Sequence, residues 1–456
     1  MYIFSHFSVA DGTMSSEEVL SRIQSLLNKT HLKGDEESIP VDYWSDLSLE
    51  CSQLIGRLES LLVSTPDNLN PPPAQLLILL GGILGNLLTS GKFHSHQSLE
   101  ATTSKLLYSI QLNCGVQTTR QLLLLEPRKL SQPKAEQLCL QLLRLCIVHV
   151  AHASTDSVLT DPLNTRPLYR DVLIWMTKEL DYPELAGEEF ISTLQPLGLR
   201  LTSDYRPRLQ HAGFSVLRWL ASKARVADWR QNNRAEAVLF HLFEHRAACG
   251  SASSEDILRE MYTTCFDLIK LLPKDKAFDG YTRLADRLLG DLTMEARRPK
   301  QTVMLQSLLQ LINIMKTDFV QHTRRFIRVV SILLLGPRTP GYLRKSLPED
   351  ARDETIHLLV LRCVHLFVQL AWPIASTAIL PDLFPPLIAF VGLEYARSSK
   401  YASEGEYFCE APMAELRSIF DSLVTLEARV LPELLVPASS AVPALMEVFP
   451  LIRNGV

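Results

Sequence analysis

From Leu209 onward, apolar residues fall at Leu209, Ala212, Gly213, Val216, Leu217 and Leu220, one face of a helix with a 3.6-residue period. A short polar joint, SKARVAD, follows, and Ala235, Val238, Leu239, Leu242 and Phe243 draw a second stripe at the same spacing. The pair predicts a helical hairpin. Neither stripe can be buried by its own hairpin alone, so a chain with this pattern must stack further hairpins on either side. Asp204 stands ahead of the first helix as a candidate N-cap, and Pro207 suits its first turn.

The same leucine-faced pattern recurs along the 456 residues, which are too many for one compact core. The spacing predicts helices over 15–28, 44–63, 74–89, 97–112, 134–153 and 167–179, with a short one inside 180–199. Beyond the central hairpin it predicts helices over 255–272, 281–289, 294–315, 318–335, 351–372, 381–396, 412–430 and 441–452. Connections are short and marked by proline, and no strict sequence repeat is visible. The expected fold is all-α, a HEAT-like α-solenoid of stacked helical hairpins, with a helical bundle of two lobes as the alternative. The expected divisions are 1–14 as a flexible N-terminus, 15–200 as N-terminal repeats, 201–373 as a central repeat region and 374–456 as C-terminal helices.

A formal net charge of −4 leaves no global positive excess for a general nucleic-acid binder. Eight cysteines, Cys51, Cys114, Cys139, Cys146, Cys249, Cys265, Cys363 and Cys409, form no C-x-x-C pair, and most lie in apolar helical runs. Reduced, buried thiols of a cytoplasmic or nuclear protein are expected. The N-terminus MYIFSHFSV lacks the basic start and long apolar run of a signal peptide. The window 73–89 is the most apolar, yet it falls short of the ~20 residues of a membrane span. No membrane role is expected.

Candidate chemistry is sparse. His241, Glu244 and His245 match H-x-x-E-H, which would place two imidazoles on one helix face beside a general base. A zinc hydrolase needs a third ligand that nothing nearby supplies, and Leu242 and Phe243 belong to the apolar stripe, so a structural helix is the preferred reading. His94 with His96, and His149 with His152, lack cysteine or carboxylate companions at metal spacing; a histidine near a helix C-terminus complements the dipole. No dinucleotide, phosphate-loop or nucleophile-elbow pattern is present, and neither an enzymatic activity nor a cofactor is expected. Trp175, Trp219, Trp229 and Trp372 read as core more than as binding anchors.

The sharpest charge feature runs from Arg297 to Lys345, where Arg297, Arg298, Lys300, Lys316, Arg324, Arg325, Arg328, Arg338, Arg344 and Lys345 face the single acid Asp318. Helical spacing puts Phe319, Phe326, Ile327 and Val330 on one face and Arg324, Arg325 and Arg328 on another. A solvated face and a docking face for an acidic protein partner both fit. Nucleic acid fits poorly, because no aromatic interleaving accompanies the charge.

The block Asp204-Tyr205, Gly213, Leu217, Asn233-Arg234-Ala235 and Val238-Leu239-Phe240 resembles the core of the TELO-two-interacting protein two (TTI-two) family. The stretch from Met315 to Gly336 and the Trp372-Pro373 pair resemble its later helices, so the likeness spans roughly 201–373. Ser203 departs from it, standing where the family pattern has a second acidic residue. The resemblance implies an α-solenoid subunit of the Triple T complex, with TTI-one-like and TELO-two-like partners. That complex works with Hsp-ninety to mature and stabilise phosphatidylinositol-three-kinase-related kinases of the mTOR, ATM, ATR and DNA-PKcs class. Composition and spacing by themselves leave another HEAT-type adaptor, for example in transport, equally open. Of the matched residues, Gly213, Leu217, Val238 and Leu239 read as packing, while Asp204, Tyr205, Asn233 and Arg234, with Arg324, Arg325 and Arg328, are the candidate partner-binding residues.

Overall fold

The computed structural model describes residues 16–32, 36–64, 72–89, 91–92, 97–126, 136–151, 165–186, 188–244, 254–336, 354–371, 380–401, 410–450 and 452. Every regular element among them is helical. The chain divides into two units, residues 1–234 and 235–456.

The first unit contains α1 (Ser16–Lys29), α2 (Val41–Ser64), α3 (Ala74–Asn86), α4 (Gln97–Asn113), α5 (Thr119–Leu123), α6 (Leu138–Ala151), α7 (Pro167–Glu179), α8 (Glu188–Thr202), α9 (Pro207–Lys223) and α10 (Val226–Arg230). Helices α1, α3, α7 and α9 pack side by side in that order, α2 packs on α4, and α8 packs along α9. The second unit opens with α11 (Arg234–Glu244) and continues through α12 (Glu255–Leu271), α13 (Lys274–Met294), α14 (Arg298–Met315) and α15 (Thr323–Leu335). It closes with α16 (Glu354–Ala371), α17 (Leu380–Tyr401), α18 (Glu410–Leu426), α19 (Val436–Ala441) and α20 (Leu445–Val448). Here α12, α14, α16 and α18 form one row, and α13, α15, α17 and α20 form the other. A helix that packs on the next but one, in two rows, is the signature of stacked hairpins, so the all-α, HEAT-like solenoid is the architecture of each unit.

Local chemistry explains most boundaries. Ser254 caps α12 by accepting the Ile257 amide at 3.4 Å, and Thr118 caps α5 by accepting that of Gln121 at 3.2 Å. Proline occupies the first turn of α7, α9 and α14, where its missing N–H is not needed. Four elements differ from the expectation. The segment 281–289 is part of the longer α13, and Glu295–Arg297 interrupts the helix expected over 294–315. Asp318 lies in a 3-10 turn, Lys316–His322, entered at Lys316 with φ 51°. The helix expected over 441–452 is short pieces, because Pro443 separates α19 from α20.

The tightest interfaces run over glycines. In α3 a Cβ on Gly85 would collide with the Asp171 carbonyl group of α7, its carbon 2.6 Å away. In α9 a Cβ on Gly213 would stand 2.6 Å from the Thr202 amide nitrogen and 2.8 Å from the Gly198 carbonyl oxygen of α8. Gly213 is thus a packing residue, and Leu217, Val238 and Leu239 are buried. Trp175 and Trp229 are core, with the Trp229 indole donating to the Leu220 carbonyl at 3.0 Å; Trp219 is half-buried and Trp372 lies outside the described residues.

Candidate partner-binding surfaces

Asp204 sits in the turn between α8 and α9, and its carboxylate is used within that turn. Oδ1 accepts both the backbone N–H and the Nε–H of Arg206 at 2.9 Å, Oδ2 accepts from the same guanidinium at 2.8 Å, and the Asp204 carbonyl accepts from Gln210 at 2.6 Å. Burial opposes the charged form, but the hydrogen bonds and charge of Arg206 together hold the carboxyl below its usual range. The same turn recurs before α14. Glu295 Oε1 accepts the Arg297 N–H and Nε–H at 2.9 Å, Oε2 accepts its guanidinium at 2.9 Å, and the Glu295 carbonyl accepts from Gln301 at 2.7 Å. A looser third copy at Glu427–Arg429 keeps the Arg429–Glu427 contact at 3.3 Å but has Glu433 where the others have glutamine. The repeat hidden in the sequence is therefore an acid, any residue, arginine, then glutamine four residues on. Its signal is legible at 204–210 and 295–301, but the positions around it differ too much for a repeat search by eye.

Tyr205 projects from this turn with 67% of its surface exposed, and Arg206 lies over its ring at 5.4 Å. Asn232 and Asn233 both take positive φ, 53° and 54°, at the corner between α10 and α11, and both are exposed. Asparagine tolerates this left-handed backbone, which is a local reason for the residue type. Arg234 is mostly covered and reaches Glu188 at 3.4 Å.

Behind Asp204 lies a buried charge cluster that periodicity could not reveal. Arg170 and Asp171 of α7 and Glu36 are fully buried, and Arg206 is 7% exposed. Arg170 donates to Asp171 at 2.8 Å and to Glu36 at 3.1 Å, while Asn86 and Thr89 donate to Asp171 at 2.8 and 2.9 Å. Burial disfavours the Arg170 charge, yet Asp171 and Glu36 outweigh it and raise its pKa. Burial pushes Asp171 upward against the pull of Arg170. The polar letters R-D inside PLYRDVLIWM were the available signal.

On α15, Phe319 (from the preceding turn), Phe326, Ile327 and Val330 are buried, and Arg324, Arg325 and Arg328 are exposed, as the spacing predicts. Arg325 bonds Asp286 of α13 at 2.5 Å, and His322 reaches the same oxygen at 3.0 Å. Arg324 and Arg328 have no carboxylate within salt-bridge range among the described residues. Of the rest of the basic run, Lys316 is exposed and Arg298 half-buried, and the others are less available. Arg297 is held by Glu295, Lys300 is 3% exposed, and Arg338, Arg344 and Lys345 lie outside the described residues.

Beside this face, α11 and α13 enclose a groove of about 330 Å³ lined by Leu239, Phe243, Leu272 and Arg283, among others. Phe240 and Phe278 are 56% and 42% exposed, and Arg283 stacks over Phe240 at 5.8 Å and Phe243 at 5.1 Å. Lys276 and Glu236 pair at 2.6 Å at its side. The apolar stripe had placed Phe243 in the core; it is half-buried at a groove wall.

Other candidate chemistry resolves into local contacts. His241 is half-buried and Glu244 exposed, while His245, His94, His96 and His152 lie outside the described residues. No group of three potential metal-ligating residues occurs among the described residues. His365 stands between Glu415, 2.6 Å from Nδ1, and Ser422, 3.3 Å from Nε2, with Gln369 also on Nε2 at 2.9 Å. Ser422 is mid-helix, where backbone N–H groups are spent on the helix ladder and offer no oxyanion donors. The cysteines of the described residues form no disulfides; burial pushes Cys51 and Cys265 up to about 12 and Cys139 up to about 11, which makes them poor nucleophiles. Cys249 and Cys409 lie outside the described residues. Among the described residues one helix, Glu354–Ala371, is long and apolar enough to cross a membrane, and half of it is buried, packed against α14 and α18.

His149 belongs to an aromatic cluster. It stacks on Tyr169 at 4.1 Å, with His31 5.6 Å away, and its Nδ1 faces the Arg166 guanidinium at 3.0 Å. Burial, helped by the charges of Arg166 and His149, lowers His31 to about 4. Unfolded histidine titrates near 6.5, so the unfolded chain binds the extra proton first as pH falls. The stability His31 contributes is full above about pH 6.5 and is lost on descending toward pH 4. The urea midpoint should fall across that window, and His31→Phe should flatten the fall; an unchanged slope would remove His31 as its source.

No protein-family model matches the chain, and no curated protein matches it. Among solved structures, it is similar to the karyopherin Kap121p at 13% identity and a TM-score of 0.38, covering 94% of this chain and 43% of that one. Kap121p bound to the SUMO protease Ulp1p matches at 13% and 0.39, covering 92% and 44%. A circular tandem repeat protein matches at 13% and 0.25, covering 97% and 98%. The chain spans less than half the length of the karyopherin chains. At this distance the likenesses say nothing about what the chain binds.

Proposed function

We propose that the chain is a non-enzymatic helical-repeat scaffold that holds protein partners, and that within this class it serves as a TTI-two-type subunit of the Triple T complex. The observation that carries the scaffold reading is the two-row stacking of hairpins, which exposes long helix faces bearing Phe240, Phe278, Arg324 and Arg328. The finer reading rests on the resemblance over 201–373. In that role the partners are the TTI-one-like and TELO-two-like proteins, and the kinase clients and Hsp-ninety are met through the assembly, in the cytoplasm and the nucleus.

Size-exclusion chromatography with light scattering tests it. The chain, mixed at micromolar concentration with the TTI-one-like and TELO-two-like proteins of its own species, is expected to co-elute as one complex at low and moderate salt. Separate elution under both conditions would remove the Triple T reading and leave the repeat fold.

A further inference from the structure

The outer stripe of α13 joins two features of the second unit. Arg283 borders the groove against α11 and lies over Phe240 and Phe243. On the adjoining flank of the same helix, Thr282 bonds Gln321 at 3.2 Å and Asp286 bonds Arg325 at 2.5 Å, at the start of the arginine face of α15. Groove and arginines are therefore neighbours on one surface. Its charges are unevenly satisfied. Among the described residues Arg283, Arg324 and Arg328 have no carboxylate partner, whereas Lys276 and Glu236 neutralise each other and Asp286 is taken by Arg325 and His322. Asp279 is the remaining acid at the groove. An arginine stacked on aromatic faces keeps its N–H edge free for a carboxylate, and stacking holds that edge in place before a ligand arrives.

We propose that this surface binds a segment of a protein partner that sets an aliphatic or aromatic side chain against Phe240 and Phe243 and lays acidic residues on Arg283, Arg324 and Arg328. The rings supply the anchor and the unpaired arginines supply orientation and encounter rate. The occupant is acidic because, over the groove and the arginine face together, Arg283, Arg324 and Arg328 outnumber the unpaired acids, Asp279 at the groove and Asp318 ahead of α15, so a basic segment would meet repulsion along the arginine face.

The full chain, selected against a phage-displayed library of short random peptides, tests this. Enriched peptides should pair an apolar anchor with nearby Asp or Glu, and their binding should weaken as salt rises. Affinity should fall at least about tenfold in Phe240→Ala with Arg283→Glu, and similarly in Arg324→Glu with Arg328→Glu. All four side chains are exposed, so circular dichroism and the urea midpoint should hold; Arg283→Lys, which keeps the charge and loses the planar stack, gives an intermediate loss without touching Phe240. The inference is overturned if nothing is enriched, if enriched peptides lack acids, or if the variants bind them as the parent does. It is equally overturned if light scattering shows a dimer that Phe240→Ala with Arg283→Glu converts to monomer, because a second copy would then be the occupant.

Discussion

Arg170→Met is expected to cost the first unit about 3–5 kcal/mol, read as a lower urea midpoint of the full chain at pH 7. Arg170 is fully buried, and its guanidinium is the group that pairs both Asp171 and Glu36 inside the unit. Methionine would fill most of the volume but remove the buried cation from Asp171 and leave Glu36 only the longer contact to Arg206 at 3.6 Å, a penalty larger than the net value of the original pair. The pH dependence separates this cause from simple repacking. Burial already pushes the Asp171 carboxyl upward, and without the guanidinium that opposes this it takes up a proton at higher pH than in the unfolded chain. Such groups favour the folded state when protonated, below their unfolded pKa, and lose that benefit as pH rises. The deficit of Arg170→Met should therefore shrink between pH 7 and pH 5. Adding Asp171→Asn should recover part of it, less than additively, since Asn86 and Thr89 still reach that side chain. An Arg170→Met chain as stable as the parent at pH 7 would show that the cluster is incidental to the fold.

Gly85→Ala should be nearly as disruptive, by about 1–3 kcal/mol or more. The added methyl would meet the Asp171 backbone, and backbone cannot rotate aside as a side-chain tip can. Helix α3 would have to withdraw from α7, loosening the Asn86 and Thr89 bonds to Asp171 at the same time. Gly213→Ala should follow the same rule between α9 and α8, where the Thr202 amide and Gly198 carbonyl are the obstacles. Gly290→Ala is the internal control. Gly290 lies inside α13 with no atom within 4 Å of an added Cβ, so this change should stabilise by roughly 0.5–1 kcal/mol through helix propensity alone. Opposite signs at Gly85 and Gly290 in parallel urea titrations would establish that proximity, not glycine content, sets the outcome. A loss at both would refute it.

Much of the partner-facing surface was legible in part. Helical spacing alone turned Arg324, Arg325 and Arg328 outward and Phe326 and Val330 inward, because a 3.6-residue period leaves little choice once one face must be buried. The same rule misplaced Phe243, since a stripe of apolar residues does not say how far a neighbouring helix extends over it. It also treated Lys300 as part of a basic surface, although the residue is buried. Asp204 could be recognised as a boundary residue. Its role as acceptor for Arg206 was hidden, because the side chain bonds two residues ahead in a turn whose dihedrals no periodicity describes.

The alternation of leucine stripes with proline-marked joints determined the all-α repeat architecture, and the boundaries of α7, α9 and α12 to within a residue or so. These are local properties: period, caps and breakers act within a few residues of themselves. Tertiary structure alone decided which helices meet. It set α3 against α7, about ninety positions apart in the chain, by matching glycines to a backbone, and it gathered Glu36, Arg170 and Arg206 into one buried cluster. It also placed Arg283, with no carboxylate partner among the described residues, over the exposed ring of Phe240 and the half-buried ring of Phe243. Contacts between distant segments depend on shape and on the cost of burying charge, and neither is encoded in the spacing of residues along one helix.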